Sequence, residues 1–170
     1  NGSIHITTSK EPTMKDAITH ALATAALLAA GGADAAEAQQ IERAGAKKTS
    51  AGPESYFTGQ VKVETLWPNN ERIQASGAYV TFEPGARSAW HTHPSGQRLL
   101  VTDGTGLVQE WGKPVQEIHA GDTVWCPPGV KHWHGAAPGS RMTHLAVTGM
   151  ADGKGVEWLE KVSDEQYNAR

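Results

Sequence analysis

Four residues of this chain have the types and the spacing to bind a metal ion: His91, His93, Gln97 and His132. Histidines two positions apart on a β-strand point to the same face, so His91 and His93 can share one ion. A Pro-Ser-Gly turn then reverses the chain, and Gln97 opens the next strand with a side-chain carbonyl that can ligate. His132 follows a Pro-Pro-Gly turn further along. Three imidazoles and one amide oxygen, with positions left for water or substrate, suit Mn(II), Fe(II), Co(II), Ni(II) or Zn(II).

The elements that must position these residues are short strands. From Tyr56 onward, short strand-like segments are separated by turns rich in Gly, Pro, Asn and Asp, which is typical of an antiparallel sandwich or barrel. We therefore predict an all-β fold. Residues 103–106 are interpreted as a turn, and only residues 157–167 could contain a helical turn. The predicted strands cover residues 61–66, 77–82, 88–93, 97–102, 107–111, 115–118, 123–126, 132–134 and 142–148.

The chain has 170 residues, which is enough for one domain with a well-formed core, and we place that domain at 56–170. Residues 1–13 are interpreted as upstream or vector-derived sequence. Residues 14–38 are alanine-rich and are interpreted as a signal peptide or a helix, and residues 39–55 as a linker. The apolar run within 14–38 is too short to span a bilayer, which takes about 20 residues. We expect a periplasmic or secreted protein if this segment is a signal peptide, and a cytoplasmic one otherwise.

Charge and cysteine content narrow the classes of partner. The formal net charge is −3, and no basic stripe is present, so nucleic acid is not an expected partner. The single cysteine, Cys126, excludes an intramolecular disulfide and a cysteine-rich zinc site. The metal site with its open positions instead makes a small-molecule substrate the expected partner.

Two spaced patterns contain the four possible ligands and resemble the two sequence motifs of the cupin superfamily. The resemblance implies a single cupin barrel (a double-stranded β-helix or jelly roll) with an alanine-rich N-terminal extension, and it implies that the four residues ligate one ion. Cupins commonly pair by strand exchange, so a dimer or tetramer is expected. Trp90 and Trp133 are expected to pack between sheets or subunits. The patterns are Gly85-x5-His91-x-His93-x3-Gln97-x6-Gly104 and Gly121-x5-Pro127-x-Gly129-x2-His132.

A closer resemblance, over residues 56–167, is to bacterial manganese-dependent cupins with hydroxynitrile lyase activity. Such cupins split (R)-mandelonitrile into benzaldehyde and cyanide. The resemblance implies Mn(II) as the metal and His144 as the residue that exchanges a proton with the substrate. It is carried by Thr81-Phe-Glu-Pro-Gly-Ala-Arg87, Trp90-His-Thr-His-Pro94, Gly96-Gln97, Val115-Gln-Glu-Ile-His119, Lys131-His-Trp-His-Gly135, Met142-Thr-His-Leu-Ala146 and Ser163-Asp-Glu-Gln-Tyr167.

Two residues depart from these resemblances. Gln97 stands where the general cupin pattern has Glu, and a neutral amide leaves the full +2 charge on the ion. We therefore expect a stronger Lewis acid that binds an anionic or alkoxide oxygen readily, with weaker metal retention. Thr148 stands where the cyanohydrin-cleaving cupins have Gln. Its shorter side chain would enlarge the pocket and remove an amide near the leaving nitrile.

Strand alternation predicts which other side chains surround the metal. If His132 faces inward, so does His134, for which a pocket role is favoured over chemistry. If the histidine face of residues 142–148 closes the pocket, His144 lies near the ion; otherwise Leu145 and Val147 form the core. The site therefore includes His144 and His134 as the catalytic candidates. The predicted pocket residues, whose alternative role is plain barrel core, are Ala78, Val80, Phe82 and Thr148.

Three functions remain open for such a site. The first is a metal-dependent lyase acting on an aromatic cyanohydrin, with the metal as Lewis acid and His144 as base. The second is a dioxygenase that uses Fe(II) or Mn(II) and O₂, because a histidine-rich centre with open positions can bind O₂. The third is a non-enzymatic module that binds a small carboxylate or sugar. An anaerobic assay separates the first two.

Overall fold

The computed structural model describes residues 38–169. Its strands and helix lie in a compact unit that begins at Glu42, and residues 38–41 contain no regular structure. The interpretations of residues 1–13 and 14–38 fall almost entirely outside this described part. Within it, no helix has the length and apolar character needed to cross a membrane. The elements are β1 (Thr49–Ala51), β2 (Phe57–Thr58), β3 (Val61–Trp67), β4 (Ala75–Phe82), β5 (Arg87–Ser88), β6 (His91–Thr92), β7 (Gln97–Glu110), β8 (Gln116–His119), β9 (Thr123–Cys126), β10 (His132–Ala136), β11 (Met142–Gly149), β12 (Glu157–Trp158) and α1 (Asp164–Asn168).

Two curled antiparallel sheets share the long strand β7. The first half of β7 pairs with β11 and β9, and its second half pairs with β10 and β8. Beyond β11 the first sheet continues through β4, β3 and β1. The second sheet continues from β10 through β5 to β2 and through β6 to β12. This arrangement confirms the predicted all-β barrel.

The stretch predicted as a turn at 103–106 is a bend within β7, at the point where the strand passes from one sheet to the other. Gly104 has a φ of +77°. A Cβ atom at this position would lie 1.8 Å from the carbonyl oxygen of Arg141, so only glycine fits. The predicted strands 97–102 and 107–111 are therefore one strand, because the turn-type residues bend the backbone without ending its pairing.

The predicted strand 88–93 is also different, since it is split into β5 and β6. Between them, the backbone N–H of Ala89 donates to the carbonyl of Tyr56 at 2.7 Å, and that of Trp90 donates to Glu160 at 2.9 Å. The backbone of this stretch therefore bonds to loops as well as to β10. The side chains of His91 and His93 lie just after this interruption.

At both ends of the domain, a segment that was not predicted as a strand pairs with a neighbouring strand. Within the segment interpreted as a linker, Thr49–Ala51 pairs with β3 as an edge strand. The expected helical turn is confined to Asp164–Asn168, whereas Glu157–Trp158 pairs with β6. The helix begins at a capping box, in which Ser163 and Gln166 each accept a backbone N–H of the other.

An apolar cluster that contains Trp90 and Trp133 packs against β10 on the side opposite the histidines. Trp90 and Trp133 are at most 1% exposed and pack with Tyr167 of α1 rather than between sheets. The Tyr167 hydroxyl donates to the carbonyl of Ala136 at 2.7 Å. Arg87 donates to Val162 O and to Asp164, which ties the C-terminal segment to β5. The C-terminal segment therefore fixes the strand that carries His132 and His134.

Candidate metal site and adjoining pocket

Strand pairing brings the predicted ligands together. In the antiparallel pair β6–β10, His132 lies directly opposite His91. His93 follows immediately after β6, and a turn with Gly96 at a φ of +78° leads into β7, whose first residue is Gln97. All four side chains are buried.

The three imidazoles are close enough to share one ion. One ring nitrogen of each of His91, His93 and His132 lies within 4.8 Å of the other two. The ring centroids of His91 and His132 are 4.3 Å apart, and those of His91 and His93 are 5.0 Å apart. Since metal–imidazole bonds are about 2.0–2.1 Å long for zinc, modest ring adjustments suffice to hold a metal ion.

Backbone carbonyls fix the orientation of each ring. A carbonyl oxygen can only accept, so the Nδ1 atom facing it must carry the proton, and Nε2 is left with a bare lone pair. This tautomer is the one a metal ligand needs. The three bonds run from His91 Nδ1 to Ala89 O at 2.9 Å, from His93 Nδ1 to Gly155 O at 2.6 Å, and from His132 Nδ1 to Val130 O at 2.9 Å.

Gln97 is held by one end of its amide and is free at the other. Its Nε2 atom donates to Thr148 Oγ1 at 2.9 Å. Its Oε1 atom, together with Nε2 of His93 and Nε2 of His132, is buried without a hydrogen-bond partner among the described residues. Buried polar atoms are rarely left without a partner, so these acceptors fit a cation between them.

Burial keeps the histidines neutral. It lowers the pKa of His91 well below the usual value, and the neighbouring His132 lowers it further. Burial lowers the pKa of His93 and reduces that of His132 to about 4. Near neutral pH each ring is therefore uncharged and available as a ligand.

His134 and His144 form a separate pair beside this cluster. His144 Nε2 lies 3.1 Å from His134 Nδ1, so one of these nitrogens donates to the other. The outer nitrogens, His134 Nε2 and His144 Nδ1, are buried without a partner among the described residues. Whichever ring donates, one outer nitrogen carries a proton and the other a lone pair. Burial lowers the pKa of His144 to about 4 and that of His134 well below its usual value, the latter lowered also by His144.

A cavity of about 380 Å³ joins the two groups of histidines. His91, His93, Gln97, His134 and His144 all line it. Its size is that of a small-ligand site. Three predicted pocket residues also line it, namely Ala78, Val80 and Thr148.

Phe82, the fourth predicted pocket residue, lies behind the histidine pair instead of at the cavity surface. Its ring is fully buried and packs against His134 and His144, with centroids 5.8 and 5.6 Å away. It shares the inward face of β4 with Val80, but the two imidazoles cover it. The inward direction of His144 on β11 agrees with the first of the two alternatives, since Met142 and Ala146 are buried on the same face.

Sequence reasoning missed the aromatic rim of the cavity. Tyr56 and Trp158 both line the cavity and stack at 4.7 Å, with planes 10° apart. Trp158 also packs against His91 at 4.9 Å. These residues come from opposite ends of the domain, and no local pattern links them. The Gly155 carbonyl that anchors His93 was missed for the same reason.

Fold and site together define a class: an antiparallel barrel with three buried histidines that could hold a metal ion beside a largely apolar pocket. Residues 78–148 match the cupin domain family. The chain is 54% identical over 128 residues to (R)-mandelonitrile lyase of Granulicella tundricola (strain ATCC BAA-1859 / DSM 23138 / MP5ACTX9), covering 75% of this chain and 98% of that one. This chain therefore belongs to the cupin family.

Solved structures agree with this assignment. A cupin-like protein from Thermotoga maritima MSB8 is 43% identical, with a TM-score of 0.66, and the match covers 69% of this chain and 90% of that one. The polyketide cyclase RemF from Streptomyces resistomycificus has a TM-score of 0.60 at 16% identity, over 77% of this chain and 91% of that one. The second likeness concerns the fold alone.

Proposed function

We propose that this chain is a metal-dependent hydroxynitrile lyase, which cleaves an aromatic cyanohydrin such as (R)-mandelonitrile into an aldehyde and cyanide. The observation that carries the proposal is the buried pair His134–His144, whose two rings line the same cavity as His91, His93 and Gln97 and whose outer nitrogens have no partner among the described residues. We infer that one of these nitrogens accepts a proton from the substrate and that the other donates one. The similarity to a relative named as (R)-mandelonitrile lyase supports the choice of substrate.

The residues that would hold the metal are His91, His93 and His132, with Gln97 as the fourth ligand. We infer Mn(II) as the ion, and Fe(II), Zn(II), Ni(II) and Co(II) also suit this donor set. When bound, the ion supplies Lewis-acid polarisation of a substrate oxygen. All four ligands are neutral, so the protein does not offset the charge of the cation.

The histidine pair performs the proton transfers. The bare outer nitrogen of the pair takes the proton from the substrate hydroxyl group as the carbonyl double bond forms. The bond between the carbinol and nitrile carbons breaks, and its electron pair leaves on cyanide. A proton from the other outer nitrogen converts cyanide to HCN, and the proton on the shared hydrogen bond moves across between His134 and His144. The pair thereby returns to a neutral state with its tautomers exchanged, and no oxidant is required.

The apolar walls hold the aryl group. Ala78 and Val80 provide small side chains on one side of the cavity, and Tyr56 and Trp158 provide aromatic rings on another. A ring buried against these surfaces gains hydrophobic and edge or stacking contacts, and its presence excludes water from the histidine pair.

The test is a mandelonitrile-cleavage assay combined with elemental analysis of the purified protein. We expect benzaldehyde formation that disappears on metal removal, returns with Mn(II), and is unchanged without O₂. His144→Gln should abolish most turnover, whereas His119→Gln, which alters an exposed histidine on β8, should not. Full activity in metal-free protein, or activity that requires O₂, would contradict the proposal; the latter result would favour the dioxygenase.

We also propose that the chain self-associates as a dimer or tetramer through strand exchange. Trp90 and Trp133 are buried within the chain, so they cannot carry this contact. Tyr79, Leu100 and Trp125 are instead exposed on the first sheet. Light scattering on purified protein tests this expectation, and a monomer at all concentrations would refute it.

Export remains a proposal that rests on residues 14–38 acting as a signal peptide. If it is correct, the periplasmic or secreted protein from the native host begins after this segment. Mass spectrometry of the mature N-terminus tests it, and a retained segment in cytoplasmic protein would contradict it.

A further inference from the structure

The side chain opposite Gln97 in the sheet bears directly on metal binding. Thr148 of β11 is the register partner of Gln97 of β7, and the two side chains form a hydrogen bond of 2.9 Å from Nε2 to Oγ1. We propose that Thr148 is a positioning residue: its hydroxyl oxygen accepts the amide N–H of Gln97 and so allows the amide oxygen to face the three histidines. This inference rests on the metal site of the proposed function.

The chemistry of an amide explains why such a partner is needed. Only its oxygen can ligate a cation, whereas its NH₂ group can only donate. When Oε1 of Gln97 faces the ring nitrogens, the NH₂ group points the opposite way in a site where Gln97 is only 7% exposed. Without an acceptor, that donor would be buried with its hydrogen bond unmade, which is unfavourable.

The histidines make the opposite orientation attractive. Nε2 of His93 and Nε2 of His132 are bare acceptors without a partner among the described residues. If the NH₂ group of Gln97 lost Thr148, it would gain by rotating toward these lone pairs. That rotation would remove one ligand and occupy the lone pairs that the metal needs. Thr148 therefore favours the metal-binding orientation of an amide that could otherwise compete with the ion.

The role of the Thr148 hydroxyl group can be tested by replacing threonine with valine, which has nearly the same shape. Thr148 also lines the cavity, so a change in its volume would alter substrate binding as well. Valine keeps the volume and the β-branch but has no hydroxyl group, and it suits a strand. Serine keeps the hydroxyl group and loses a methyl group. Thr148→Val thus removes the hydrogen bond alone, and Thr148→Ser removes volume alone.

The experiment measures the dissociation constant of Mn(II) for the metal-free full chain by chelator competition. We expect Thr148→Val to weaken binding about tenfold or more, as other residues that orient metal ligands do, and to change the electron paramagnetic resonance spectrum of bound Mn(II). Thr148→Ser should stay within about threefold of the wild type, because the acceptor remains. In a Gln97→Ala background, Thr148→Val should have no further effect, since the amide it orients is gone.

The outcomes separate this inference from the proposed function. Wild-type affinity in Thr148→Val, or an equal loss in the Gln97→Ala background, would overturn the positioning role while leaving the metal site intact. A wild-type chain that does not bind Mn(II), or any of the other divalent ions named above, would instead overturn the metal site itself.

Discussion

The buried histidines of the described chain fall into two groups that differ in what holds their rings. His91, His93 and His132 each direct Nδ1 to a backbone carbonyl. His134 and His144 are bonded to each other. A carbonyl can only accept, so it fixes the tautomer of the first group, whereas an imidazole can donate or accept, so the second group can exchange its shared proton.

This difference teaches that the hydrogen-bond partner of a histidine, more than its burial or spacing, decides which protonation states its ring can adopt. His132 and His134 are two residues apart on β10, and both are 5% exposed. The first is anchored to Val130 O and offers a fixed lone pair, as a metal ligand requires. The second is hydrogen-bonded to His144 through a proton that either ring can carry, which is what the proposed proton transfer requires.

The largest effect should follow from removing one ring of the anchored group, that is, of His91, His93 and His132, whose Nδ1 atoms donate to backbone carbonyls. We expect His93→Ala to lose one of three imidazole ligands, to purify with little metal, and to show cleavage of mandelonitrile near background. Elemental analysis and the cleavage assay check this together. Metal at the wild-type level with full activity would show that the three rings are not a metal site.

Substitution of either member of the His134–His144 pair should leave the metal in place. We expect His144→Gln to retain wild-type metal content and to lose activity by about 10²–10⁴-fold, the usual worth of general acid–base catalysis. His134→Gln should behave similarly, because the two rings act as one unit. A parallel loss of metal and activity in either variant would show that the pair also contributes to metal binding, and that the two groups are not separate in function.

Lowering the pH should destabilise the fold of the metal-free protein through both groups of histidines. The pKa values of His132 and His144 are lowered to about 4 in the folded chain from an ordinary 6.5. Between these values the unfolded chain binds more protons than the folded chain, so the free energy of unfolding falls as the pH decreases from about 6.5 to about 4. Urea denaturation across this range checks the decline, which should be shallower in His144→Gln. An unchanged midpoint would contradict the burial of neutral rings.

Gln97→Glu should produce the smallest change, and it should act through the anchored group alone. A carboxylate offsets part of the metal charge, so we expect Mn(II) to bind roughly tenfold more tightly and cleavage to slow. Chelator competition measures the affinity. Weaker Mn(II) binding in this variant would show that residue 97 is not a ligand.

The anchored group was predictable from sequence, and the pair was only partly so. The spacing of His91 and His93 and the turn before His132 are local features that place side chains on one face. The contact between His134 and His144 depends on how far apart β10 and β11 lie across the barrel, which no local pattern encodes. For the same reason, the sequence could not indicate that Phe82 lies behind these rings.

The other differences between the sequence-based predictions and the structure concern a glycine within a strand and residues near the two ends of the domain. Residues 103–106 have the composition of a turn, yet the positive φ of Gly104 bends a continuous strand between the two sheets. Tyr56 and Trp158 meet at the cavity only after the whole barrel has closed. Residues that contribute long-range contacts of this kind are visible only in the folded chain.

The central claim is that one group of rings has fixed tautomers and binds metal, whereas the other exchanges protons. Long-range proton–nitrogen correlation spectra of histidine-labelled, metal-free protein test it most directly, before and after addition of diamagnetic Zn(II). We expect His91, His93 and His132 to carry their protons on Nδ1, and Zn(II) to shift the resonances of their Nε2 atoms as direct ligands. His134 and His144 should show a shared hydrogen bond and no directly bound Zn(II). A proton on Nε2 of any of the three anchored rings, or direct Zn(II) binding by the pair, would contradict this account.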